Sequence, residues 1–189
     1  MAIILASASP RRSELLKQAG CKFEIRVSHV EEKLDSGCPP EKLAVTLASK
    51  KALAVAAEAE EDDVVIGADT MVVLRGTVYG KPTDREDACR MLSELSGQEH
   101  QVITGVAVVR GTGLWTDFST TTVRMSTLTP ERIQRYIATG EPFGKAGSYA
   151  IQGIGALLVE HINGCYNNVV GLPLMTLASL LERAGVELL

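Results

Sequence analysis

The stretch Val64-Val65-Ile66-Gly67-Ala68-Asp69-Thr70-Met71-Val72-Val73-Leu74-Arg75-Gly76-Thr77-Val78-Tyr79-Gly80-Lys81-Pro82 decides the fold. Val64 to Ile66 is a β-branched run and Met71 to Leu74 resumes an apolar one, the pattern of a strand buried on both faces. Arg75-Gly76 reads as a tight hairpin turn, and the return strand delivers Gly80-Lys81-Pro82. Gly67 lets the backbone pass close to a neighbour. Asp69 is the costly residue: a buried carboxylate must be paired, hydrogen-bonded or bound to a metal. Either it sits at a turn or bulge with its charge met by backbone N–H groups, or it belongs to a functional site. A lysine on the same hairpin favours the site.

Upstream, Ile3 to Leu5 is a short strand and Ser13 to Ala19 a helix, with Ser9 as N-cap and Pro10 at the first helical position. Ser7, Ser9, Arg11 and Arg12 line this strand-to-helix turn, whose outward N–H groups and positive dipole end attract phosphate. An ordinary capped helix with solvated arginines has the same residues. Phe23 to Val27 alternates as a strand, and Glu31-Glu32 opens a polar loop. Glu41 to Glu60 is an amphipathic helix carrying Lys50 and Lys51.

Downstream, Thr83 or Asp84 caps a helix over Arg85 to Leu95. Gln101 to Arg110 and Leu114 to Ser126 form an antiparallel pair with one wet face. Thr129-Pro130 opens a helix over Glu131 to Ala138. Glu141 to Gly155 reads as an irregular loop with the contents of a ligand-binding lip, including Lys145, Ser148, Tyr149 and Gln152. Ala156 to Ile162 is a strand, and Pro173 begins a closing helix over Leu174 to Ala184. Helices alternating with strands early, and a hairpin later, predict an α/β (α+β) domain with a mixed sheet.

The chain of 189 residues is long enough for one domain or two lobes sharing a core, and 46% hydrophobic residues suffice to fill it. A formal net charge of -4 provides no global basic field for nucleic acid, so an anionic ligand needs a local cluster of cations. No apolar stretch is long enough to span a membrane, and the first residues lack a signal-peptide pattern. Cys21, Cys38, Cys89 and Cys165 have no metal spacing and read as free thiols of a cytoplasmic protein. His29, His100 and His161 fall in no metal or nucleophile motif.

Seven motifs in order carry a resemblance. They are Ser7-Ala8-Ser9-Pro10-Arg11-Arg12, Val30-Glu31-Glu32, Leu47-Ala48-Ser49-Lys50-Lys51-Ala52, Gly67-Ala68-Asp69-Thr70, Gly80-Lys81-Pro82, His100-Gln101-Val102-Ile103-Thr104-Gly105 and Ala146-Gly147-Ser148-Tyr149-Ala150-Ile151-Gln152-Gly153. Over nearly its whole length the chain resembles the Maf-like nucleoside triphosphate pyrophosphatases. The resemblance implies a single Maf-like domain over residues 1–189, its elongated mixed sheet flanked by helices in a Maf/ITPase-like arrangement of two lobes with a central cleft. It implies cleavage of a nucleoside triphosphate to the monophosphate and pyrophosphate with a divalent metal cation, Mg²⁺ or alternatively Mn²⁺ or Co²⁺. A cytoplasmic homodimer, with no nucleic acid or membrane partner, is expected.

Carried over by motif, Asp69 takes the position of the proton acceptor, and Glu32, Lys51 and Lys81 those of its catalytic companions. Glu31 stands where the family commonly has aspartate. Arg12, Thr70 and Gln152 match the specificity positions of the subgroup acting on dTTP and UTP.

Attack of water on an α-phosphorus must offset a large negative charge, which suits Arg12, Lys51 and Lys81 as phosphate clamps and Glu32 and Asp69 as metal ligands. The Gln152 amide offers a donor and an acceptor, matching the edge of uracil or thymine. Two alternatives remain open at this level: a nucleotide-binding regulator of septum formation, and a pyrophosphatase for 7-methyl-GTP or a purine triphosphate.

Overall fold

The structure, a computed structural model, describes residues 1–30 and 37–188. Seven strands form one mixed sheet: β1 (Ile3–Leu5), β2 (Glu24–Ile25), β3 (Val64–Leu74), β4 (Thr77–Tyr79), β5 (Glu99–Arg110), β6 (Gly113–Met125) and β7 (Val159–Asn163). The order is β2-β1-β3-β5-β6-β7, with β4 paired to β3. Strand β1 runs parallel to both β2 and β3, whereas β3–β4 and β6–β7 are antiparallel, so the predicted mixed α/β sheet is present. The helices are α1 (Pro10–Gln18), α2 (Pro40–Ala56), α3 (Arg85–Leu95), α4 (Pro130–Ala138), α5 (Tyr166–Val170) and α6 (Leu174–Arg183).

The chain forms two compact units. The first comprises residues 1–70, 104–119 and 171–189, the second residues 71–103 and 120–170. Strand β3 therefore gives its first seven residues to one unit and the hairpin to the other.

In the first unit, α2 lies unusually close to the sheet, and small residues explain why. Ala44, Ala48 and Ala52 recur every fourth position and are fully buried. They meet two glycines. A Cβ on Gly67 would come 2.3 Å from the Ala48 carbonyl oxygen and 2.9 Å from the Ala52 Cβ. A Cβ on Gly105 would come 2.3 Å from the Ala44 carbonyl carbon. Any side chain at either glycine would push the helix off the sheet, an overpacking penalty of about 1–3 kcal/mol. Ile4, Ala6, Val55, Val65, Ala107 and Val109 complete this apolar cluster. The close approach matters because it sets the height of Lys51 above β3.

In the second unit, the hairpin turn has Arg75 at φ 51° and Gly76 at φ 81°, both left-handed. Two left-handed residues suit the type I′ turn, whose twist matches that of the strands it joins. The core gathers Tyr79, Met91, Leu92, Leu95, Met125, Ile133, Tyr136, Ile137, Tyr149 and Leu158. Helices α3 and α4 start where the sequence places their caps. Asp84 accepts the Asp87 N–H at 2.8 Å, and Thr129 accepts the Arg132 N–H at 3.3 Å.

Four sequence expectations need correction. The strand expected over Phe23 to Val27 is only Glu24–Ile25, because its partner β1 is three residues long and pairs only through Ile4 and Leu5. Helix α2 stops at Ala56 instead of Glu60; Glu58, Glu60, Glu61 and Asp62 oppose the negative end of the helix dipole. The strand expected from Ala156 begins only at Val159, after a 3-10 helix over Gly153–Leu158. Residues 166–170, expected only to precede the Gly171 turn, form α5, where the buried Asn168 amide donates to the Val102 carbonyl and the Thr121 hydroxyl.

Candidate active site

Asp69 lies on β3 and Lys51 on the face of α2 that packs against it. Lys51 Nζ donates to Asp69 Oδ1 at 2.5 Å, and each side chain retains only 10% exposure. The expense of burying Asp69 is thus met by a cation, within the strand and not at a turn. A desolvated pair of this kind must be well formed, because removing one partner leaves an uncompensated charge. The pair is not sealed off. Asp69 Oδ2 accepts no hydrogen bond from a described residue, which leaves it for water or a cation.

Thr70 follows Asp69 in an extended strand, so the two side chains point to opposite faces. On its face Thr70 meets Arg12 from α1. Arg12 Nη2 donates to Thr70 Oγ1 at 3.1 Å, Nη1 to Ser7 Oγ at 3.1 Å, and Nε to the Gly171 carbonyl at 2.8 Å. Thr70 Oγ1 also shares a 3.0 Å bond with Thr104 Oγ1 on β5. One guanidinium therefore joins the first turn, the central strand and the approach to α6. Its planar fork of donors suits that task as an ammonium would not.

The Ser9 position is as expected, at the N-cap of α1, but its side chain makes no cap bond. Ser7 Oγ instead accepts the Ser9 N–H at 3.2 Å, which braces the turn. Arg11 is half-buried beside Arg12.

Lys81 and Gln152 belong to the second unit. Lys81 is exposed after β4, and Gln152 is half-buried at the start of the 3-10 helix. Glu31 and Glu32 lie outside the described residues. The structure thus brings together Lys51 with Asp69, and Ser7 with Arg12 and Thr70. Thr104 and the Gly171 carbonyl were missed from sequence as site residues. Thr104 stands in a quoted motif, and a threonine in a β-branched buried strand was the available signal. A backbone carbonyl leaves none.

Among the described residues no group of three or more His, Cys, Asp and Glu side chains could hold a metal ion. That is compatible with Mg²⁺, which commonly takes one or two protein carboxylates together with phosphate oxygens and water. Asp69, whose Oδ2 accepts no hydrogen bond from a described residue, fits such a donor set.

The second unit carries a buried pair that sequence reading did not find. His100 Nε2 lies 2.6 Å from Tyr149 Oη, with the rings edge to face. Burial holds the His100 imidazole down at about 4 and pushes the Tyr149 phenol up. The unfolded chain, with an ordinary imidazole near 6.5, then takes up a proton that the folded chain refuses. Stability contributed by neutral His100 is complete above pH 6.5, falls as the pH drops, and is lost near pH 4. The expected loss is about 3 kcal/mol. Urea midpoints at pH 7.5 and pH 4.5 check it: His100→Gln should show a shallower pH dependence than the parent, and identical slopes would contradict the assignment.

The family profile described as Maf-like protein matches residues 2–184. The chain belongs to the Maf family. A relative from Gloeobacter violaceus is 52% identical over 181 residues, covering 96% of this chain and 95% of its own. One from Desulforamulus reducens is 50% identical over 188 residues, covering 98% of each. One from Caldicellulosiruptor saccharolyticus is 47% identical over 192 aligned residues, covering 99% of this chain and 96% of its own. All three are named dTTP/UTP pyrophosphatase. Among solved structures, the Staphylococcus aureus Ham1 protein matches with a TM-score of 0.50 at 13% identity, covering 85% of this chain and 81% of its own. That likeness concerns the fold alone. Among the described residues, no helix of this Maf-family chain is long and apolar enough to cross a membrane.

Proposed function

We propose that this chain is a nucleoside triphosphate pyrophosphatase that hydrolyses dTTP and UTP, with modified pyrimidine triphosphates as further substrates, to the monophosphate and pyrophosphate. The observation that carries the reading is near-full-length similarity, at about half identity, to relatives that bear this name. The residues supply a chemical rationale. Asp69 Oδ2 orients the attacking water and accepts its proton, while Lys51 pairs with Asp69 Oδ1 and meets the charge of a phosphate. In the alternative role for Asp69, it and Glu32 are the carboxylates to hold a divalent cation, Mg²⁺ or alternatively Mn²⁺ or Co²⁺. When bound, such a cation neutralises charge on the phosphate oxygens.

In this reading the turn over Ser7, Ser9, Arg11 and Arg12 binds phosphate, and Lys81 is a further clamp. Arg12 and Thr70 shape the recognition wall, and Gln152 reads the pyrimidine edge. The reading includes a single Maf-like domain over residues 1–189 that acts in the cytoplasm as a homodimer, without nucleic acid or membrane. Incubation of the pure protein with Mg²⁺ and a panel of dTTP, UTP, CTP, GTP and 7-methyl-GTP tests it. Pyrophosphate release fastest from dTTP and UTP is expected. Preference for a purine substrate, or orthophosphate as the product, would overturn it.

A further inference from the structure

Gln152 sits in a segment that one carboxylate holds from both sides. Glu141, just after α4, accepts the Gly155 N–H on Oε1 at 2.8 Å and the Ile154 N–H on Oε2 at 3.1 Å. Oε1 also accepts the buried Tyr136 hydroxyl at 2.9 Å. That hydroxyl accepts the Ala150 N–H at 3.3 Å. Two bonds therefore fix the backbone just after Gln152, and a third, relayed through Tyr136, fixes it just before.

The glycines around Gln152 leave room for this carboxylate. Gly153 has φ +65°, and a Cβ there would come 2.6 Å from Glu141 Oε2. A Cβ on Gly155 would come 2.7 Å from the Tyr136 hydroxyl and 3.0 Å from Glu141 Oε1. Burial pushes the Glu141 carboxyl up, but the Gly155 N–H, the Tyr136 hydroxyl, the Ile154 N–H and the Lys145 charge together hold it below its ordinary range. It is ionised at neutral pH and acts purely as an acceptor. The Gln152 amide itself bonds to no described residue, so the placement of its backbone sets the point from which the side chain reaches.

We propose that Glu141 is a positioning residue for base selection, aiming the Gln152 amide by clamping the backbone on either side of it. This rests on Gln152 reading the pyrimidine edge, as proposed above. Uracil presents a carbonyl acceptor beside a ring N–H donor; cytosine presents an amino donor beside a bare ring nitrogen. A side-chain amide meets two adjacent atoms of a base edge only when its Cα stands at the right distance from that edge, so discrimination requires a fixed backbone at this residue. A glutamine at position 141 has one acceptor oxygen where the carboxylate has two, and turns an NH₂ toward a backbone N–H.

The test is kcat and KM for UTP and CTP with the full chain and Mg²⁺, for the parent, Glu141→Gln, Tyr136→Phe and Gln152→Ala. The parent should prefer UTP, and Gln152→Ala should erase that preference. Glu141→Gln should reduce the UTP-over-CTP ratio of kcat/KM about tenfold, mainly through KM for UTP. Tyr136→Phe, which cuts the relay to Ala150 and leaves the two backbone bonds of Glu141 in place, should move the ratio less and in the same direction; it also serves if Glu141→Gln fails to fold. An unchanged ratio with a lower melting temperature in both variants would make Glu141 a structural brace and overturn the inference alone. A parent without preference, or without turnover of UTP and dTTP, would overturn the reading beneath it as well.

Discussion

Asp69→Asn is expected to remove most turnover and to leave the chain folded. Asparagine keeps the shape of the side chain and an oxygen that accepts the Lys51 ammonium, which now lies 2.5 Å from Asp69 Oδ1. It removes the charge and the ability of Oδ2 to take a proton. Loss of a general base costs about 10²–10⁴-fold in rate. An ammonium left against a neutral amide costs about 1–3 kcal/mol of stability, less than the roughly 3–5 kcal/mol of deleting the partner altogether. Steady-state turnover of UTP, read beside a thermal melt, checks both halves. A folded variant with parental turnover would take Asp69 out of the chemistry.

Arg12→Lys should be nearly as costly, although the charge is kept. The guanidinium donates at once to Ser7 Oγ, Thr70 Oγ1 and the Gly171 carbonyl. A lysine is a point donor on a flexible stem and cannot span three acceptors set in a fork. Two bonds lost at about 0.5–1.5 kcal/mol each predict a destabilisation of about 1–3 kcal/mol. Misplacing the turn and Thr70 together should lower kcat/KM on the order of 100-fold. Thr104→Val, which removes only the hydroxyl bonded to Thr70, should reproduce a small part of this. If Arg12→Lys matches the parent in melting temperature and in kinetics, the fork has no role.

The central strand and its hairpin were legible in the sequence because burial on both faces and a two-residue turn each leave a local mark. So were the capped starts of α3 and α4, and the mixed sheet. Gly67 was read as a point of close approach, and α2 is what approaches. Elements whose extent depends on a distant partner were not legible. Strand β2 is as short as β1 allows, and the segment before β7 folds into a 3-10 helix that bonds to Glu141.

The candidate site divides in the same way. Asp69 stood out as an acid in an apolar run, but that Lys51 is its partner follows from the packing of Ala44, Ala48 and Ala52, which sequence spacing alone does not identify as a seam with β3 and β5. The Arg12 knot depends on a carbonyl from Gly171, which is 159 residues away. Glu141 looked like the first residue of a loop, because nothing in its neighbourhood shows that it accepts bonds from the far end of that loop.

The proposed roles all require water to attack the α-phosphorus of a pyrimidine triphosphate. Hydrolysis of UTP by the pure chain in ¹⁸O-labelled water, with products resolved by ³¹P NMR, tests it most directly. Label is expected in UMP and not in pyrophosphate; label in pyrophosphate, or labelled orthophosphate as the first product, would rule out attack at the α-phosphorus.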